Sequence, residues 1–193
     1  MLYHCLYVRF CYFRKKNVMI YENDIRRDTV TRVAHQMLIA ARTAPKGRGR
    51  DTIIAAMATE EERHQIAEKM EQIASRENMA FFARDAANLR MSDALILLGT
   101  RVDPLGLKYC GYCGFDGCGA KNGHPAIPCA FNLTDLGIAL GSAVAVASQY
   151  HVDNRIMYSA GRSALDLGLF EEGVSVIFAI PLSVSSKSPY FDR

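Results

Sequence analysis

The sequence predicts a layered α/β (α+β) domain, and three observations carry that expectation. Residues 52–58, 92–99 and 173–180 are apolar runs with the length of strands. Segments with helical spacing separate them, an alternation that favours helices layered on a sheet over a β-sandwich. Residues 134–150, TDLGIALGSAVAVASQY, form a longer apolar run, which predicts a helix buried on most of its faces. At 193 residues the chain is expected to be one domain with a core of its own.

In chain order, a first helix is expected from Asn23 or Asp24 to about Arg42. Ile25, Val30, Val33, Met37 and Leu38 form its apolar stripe, with Arg26, Arg27 and Arg32 off it. Pro45 ends the helix, and Gly47 and Gly49 then alternate with Lys46, Arg48 and Arg50. Glycines among cations suit a phosphate; a solvated basic loop is the alternative, and the spacing is not that of a P-loop. Thr59 and Glu62 predict a capping box opening an acidic helix to about Ser75. Another helix is expected from Met79 to about Leu89. Asn132 or Thr134 is expected to cap the long apolar helix, and Asp153 a helix over 154–168. Pro181 and Pro189 predict an extended tail.

Charge excludes one class of partner. The net charge is +3, but Arg9, Arg14, Lys15 and Lys16 all lie in the first eighteen residues, which hold no acid. The rest of the chain is slightly acidic and offers no basic face for nucleic acid. Residues 1–18 read as a leader, disordered or upstream of the natural start, with residues 19–193 as the domain. The opening has neither the order of a signal peptide nor the length of a membrane span. Free thiols and no export signal place the protein in a reducing cytoplasm.

The most constraining stretch is 108–131, KYCGYCGFDGCGAKNGHPAIPCAF. Four of the six cysteines stand there at C-x2-C-x4-C-x10-C: Cys110, Cys113, Cys118 and Cys129. Thiolates ligate iron–sulfur clusters and structural zinc. Zinc usually draws on two tight ligand pairs, and only the first pair here is tight, so a 4Fe-4S cluster is expected, with zinc as the alternative. Gly111, Gly114, Gly117 and Gly119 interleave the thiols and let backbone N–H groups approach cluster sulfurs. Cys129 stands just ahead of the apolar helix, whose positive end would offset cluster charge. His124 and Asp116 are expected to be outer groups that tune potential rather than acid–base catalysts.

The segment CGYCGFDGC resembles the CGxCGxxxC opening of ferredoxin-type clusters. From Met19 onward the chain resembles the uncharacterised ferredoxin domain-containing proteins, and that resemblance implies a cluster but no reaction. A second resemblance covers roughly residues 25–193. AARTAPKGRGRDT is similar to the AxxAPSxxNxQPW stretch of flavin nitroreductases, and DLGIALGSAVAVASQYHVDNR to their central helix. It implies a nitroreductase-like sheet with flanking helices, carrying the cysteine loop as an insertion. It also implies a homodimer paired across the central helix, with each tail, from 182 onward, extended over its partner. Gly137, Gly141 and Ala145 lay a smooth stripe along that helix. Lys46, Arg48, Arg50 and Lys187 are the candidate ligands of a flavin mononucleotide (FMN) phosphate. The chain departs from that superfamily in having no RRSxR stretch and no Ser and Asn after Pro45.

Function is therefore expected to be redox: electron transfer through the cluster to an unidentified partner, or reductase activity where a flavin is present. No nucleophile–base motif occurs. The alternative is a zinc-stapled structural protein without redox catalysis.

Overall fold

Residues 94–101, ALILLGTR, are buried along nearly their whole length, and the other elements are layered on them. The computed structural model describes residues 19–191; the leader expected over 1–18 lies outside the described residues. The elements are α1 (Glu22–Thr43), a 3-10 turn (Gly47–Gly49), β1 (Ile53–Met57), α2 (Glu60–Glu77), α3 (Ala80–Arg90), β2 (Ala94–Arg101), α4 (Gly117–Asn122), α5 (Ala130–Gln149), β3 (Asp153–Asn154), α6 (Tyr158–Asp166) and β4 (Val174–Ser183). The sheet order is β1-β2-β4-β3, and every neighbouring pair is antiparallel.

Side chains of β2 alternate between two cores, as the pleat requires. Ile96 and Leu98 pack with α1 and α5; Leu95 and Leu97 pack with α2, α3 and α6. The result is three layers, helices on both faces of one sheet. Each fully buried Leu or Ile contributes about 1.5–3 kcal/mol relative to exposure, so burial on both faces makes β2 the most strongly held strand.

Local rules place the helices. Thr59 and Glu62 form the expected capping box, with Glu62 N–H on the Thr59 hydroxyl at 3.2 Å and Thr59 N–H on the Glu62 carboxylate at 2.7 Å. Helix α5 is, among the described residues, the one long and apolar enough to cross a membrane by length and composition alone. In the fold it packs against α1 and the sheet.

Several expectations need correction. Ile25 is 47% exposed, because burial along α1 begins only at Val30. Asp153 caps no helix: it pairs with Ser183 as part of β3, and α6 starts later, at Tyr158. Met157 ahead of it is tied to Ala179 by N–H···O contacts of 2.7 and 3.1 Å in both directions. Helix α5 begins at Ala130 with Cys129 at its N-cap, and neither Asn132 nor Thr134 caps it. Pro181 does not break β4 but pairs with Leu95 within it. The carbonyl of Leu182 accepts from Asp93 N–H on the β2 side, so Pro181 turns its missing donor to the other edge, where pairing lapses between Asn154 and Met157. The tail is also no free arm. Leu182 and Ser183 complete β4, Val184 N–H donates to Asp93, and Tyr190 is buried in the core of its own chain.

Helix α6 lies so close to β4 that a Cβ built on Gly161 would stand 2.1 Å from the Ile177 carbonyl oxygen. Backbone cannot step aside as a side chain can. Gly161→Ala should therefore cost about 3 kcal/mol or more in denaturant unfolding. Gly119→Ala, with nothing within 4 Å, should be near neutral in the same assay.

Candidate metal centre

The cysteines lie on three different pieces of backbone. Cys110 and Cys113 sit in a turn where Gly114 N–H bonds the Gly111 carbonyl at 2.9 Å. Gly114 and Gly117 take φ of +83° and +77°, left-handed values that a side chain would strain. Cys118 follows at the start of α4, and Cys129 is the N-cap of α5. All four line one small pocket, whose other walls include Leu105, Leu107, Phe115 and Phe131. Cys129 is buried, the other three half-buried, and all four are free thiols. Among the described residues no group of three or more His, Cys, Asp or Glu side chains is close enough together to hold a metal ion as they stand.

A charge also lines the pocket. Lys121 of α4 is 1% exposed, and its Nζ donates to the His124 carbonyl at 3.0 Å. Burying an ammonium without a counter-ion costs on the order of several kcal/mol. The expected outer groups are peripheral: the His124 ring stacks on Phe115 at 4.8 Å, and Asp116 precedes α4 without capping it.

Two buried polar residues of α5 hold the surroundings. Asn132 accepts from Asp103 N–H at 2.9 Å and donates to the Asp103 carbonyl at 3.1 Å. The Asp135 carboxylate accepts Gly47 N–H at 3.0 Å on each oxygen. The basic loop is fastened in the same direction. Lys46 Nζ caps the end of α1 on the Ala41 carbonyl at 2.9 Å, and Arg48 donates to the Leu105 carbonyl at 3.0 Å. Arg50 grips both Asp103 oxygens at 2.6 Å. These three cations thus serve their own chain, and the loop amide already faces a carboxylate.

Lys187 is not brought to that loop. It lines a separate cavity of about 620 Å³ with Arg26, Arg84 and Arg155, closed on one side by Tyr190. Arg155 donates to the Tyr190 carbonyl at 3.2 Å and stands 5.8 Å above the Phe191 ring. Sequence reasoning missed this cavity, because its cations come from α1, α3, the β3–α6 link and the tail. It also missed Lys121, Asn132 and Asp135. Polar residues three apart in an otherwise apolar helix were the available signal for the last two.

Comparison with known proteins places this geometry. Over 183 residues the chain is 40% identical to an uncharacterized protein of Archaeoglobus fulgidus, covering 91% of this chain and 98% of that one. Residues 126–193 match the family described as an uncharacterized protein containing a ferredoxin domain. The chain belongs to that family. Of the four clustered cysteines, the matched segment of this ferredoxin-domain protein includes Cys129 alone. Among solved structures, it is similar to a nitroreductase with bound FMN from Desulfitobacterium hafniense (TM-score 0.57, 15% identity, 89% of this chain and 82% of that one). It is likewise similar to a nitroreductase family protein of Clostridium novyi (TM-score 0.56, 15% identity, 90% and 79%). The fold of this family member is thus the nitroreductase fold, as its sequence led us to expect.

Tyr190 provides a measurable probe of the cavity. It is 2% exposed, and its hydroxyl lies near Ser183 without making a hydrogen bond. Burial, helped by the Asp93 charge, pushes its ionisation far above the usual tyrosine range. The folded state therefore holds this proton more tightly than the unfolded state does. The resulting stability is complete below about pH 10, the unfolded value, and is lost as pH rises beyond it. Tyr190→Phe should unfold like the wild type at pH 8 and decline less above pH 10, read from thermal melts at both.

Proposed function

We propose that this ferredoxin-domain protein is a redox protein holding one 4Fe-4S cluster through Cys110, Cys113, Cys118 and Cys129. The observation that carries this reading is the convergence of all four thiols on one pocket from three backbone segments. The donor set fits the group: four soft sulfurs, apolar walls and flanking glycines. When bound, the cluster supplies one-electron transfer. The chain's own residues do the rest. The thiolates ligate, while Leu105, Leu107 and Phe131 keep water from the pocket. The first turn of α5 presents its positive end beside Cys129, a contribution of about 0.3–1 kcal/mol toward a negative group. Zinc on the same thiols is the competing reading. A reducing cytoplasm suits either metal.

Replacing any one of the four cysteines with Ser should bleach the broad visible absorbance of an anaerobic preparation and lower its iron and sulfide content together. Stoichiometric zinc without sulfide in the anaerobic wild type would instead establish the structural reading.

A flavin would make the protein a reductase. The candidate ligands of its FMN phosphate are Lys46, Arg48 and Arg50 of the basic loop, with Lys187 of the tail, which lines a different cavity. Flavin analysis of the same anaerobic preparation tests this directly.

We further propose a homodimer across α5. Leu133, Gly137, Ile138, Gly141 and Ala145 are exposed along one side of this helix, an apolar face left uncovered by its own chain. A side chain at Gly141 meets nothing within 4 Å in the chain, so Gly141→Leu should leave the fold intact. Light scattering should then show the mass falling from dimer to monomer. A wild type that is monomeric at micromolar concentration would sink this proposal.

A further inference from the structure

Lys121 poses a problem that the fold by itself does not solve. It lies three residues after Cys118, lines the cysteine pocket and is 1% exposed. Among the described residues its one hydrogen-bond acceptor is the neutral His124 carbonyl, and no carboxylate pairs with it. The acids of the region are engaged elsewhere or face water. Asp103 grips Arg50, Asp135 accepts from Gly47, and Asp116 is exposed. A buried cation without a counter-ion is strongly disfavoured. The four cysteines of the same pocket are the remaining source of negative charge.

We propose that Lys121 is the built-in counter-charge of the cluster, a positioning residue that favours its reduced form and its retention. This rests on the cluster reading above. Four thiolates around an oxidised 4Fe-4S core carry about −2, and one electron from an external one-electron donor, dithionite in the test, brings this to about −3. No bond breaks and no proton moves in that step. A cation fixed by burial on α4 stabilises the more negative state by more than the less negative one. In the metal-free protein the same buried ammonium, bonded to one neutral carbonyl, is a liability.

The test compares the wild type with Lys121→Met and Lys121→Arg, all prepared anaerobically. Iron and sulfide are measured first, then the midpoint potential by dithionite titration, then thermal melts with and without metal. Lys121→Met should shift the reduction equilibrium about tenfold toward the oxidised form, a fall of about 59 mV for one electron. Lys121→Arg should lie closer to the wild type. Metal-free Lys121→Met should melt above the metal-free wild type, with the order reversed once the cluster is loaded. Loss of iron from the Met variant but not from the Arg variant would also support the proposal, since charge is then what retention needs. A Met variant with full iron and an unchanged potential overturns it while leaving the cluster in place. Loss of iron from both variants, with lower metal-free melts, overturns it in favour of a packing role. A wild type without iron and sulfide overturns the cluster reading and this proposal together.

Discussion

The first two turns of α5 are the constraint on which the candidate site depends. Asn132 and Asp135 are buried there, and a buried polar group without partners is costly. Each is satisfied by backbone from elsewhere: Asn132 by the residue after next beyond β2, Asp103, and Asp135 by Gly47 in the turn after α1. Those bonds bring the loops after α1 and after β2 to the end of α5. Arg48 and Arg50 complete the tie from the other side, on Leu105 and Asp103. Cys129 at the N-cap of α5 therefore enters a setting that is already assembled, with Leu105 of the tied loop forming a wall of its pocket.

Much of the fold could be read from local pattern, because local physics decides it. The capping box at Thr59 and the apolar runs that became β1, β2 and β4 depend on residues close in sequence, and they appear with boundaries shifted by one to three residues. The failures have a common cause in distant contacts. Asp153 has the chemistry of a helix cap, but pairing with the end of β4 takes precedence. Pro181 looks like a strand breaker, yet the partner edge beside its nitrogen is interrupted. Ile25 sits on the right stripe of α1, on a turn that no other element covers.

The site divides in the same way. Cysteine spacing points to one shared pocket, since four thiols within twenty residues leave few ways apart. For the basic loop, composition does not reveal where a cation will be spent. Lys46, Arg48 and Arg50 find carbonyls and a carboxylate within their own chain. Lys121 carries no distinguishing signal in the sequence, and only its burial gives it meaning.

Strand β2 places successive side chains into opposite cores, and this bears on how the molecule comes apart. Neither helical layer can detach without baring one face of the strand that holds the other layer. The sheet gives no seam along which half the protein could melt while the other half persisted. Disruption should therefore propagate through the whole domain in one cooperative transition. The amides of residues 95–98 would exchange with solvent only through that global opening, while those of the short, interrupted β3 would exchange through local fraying.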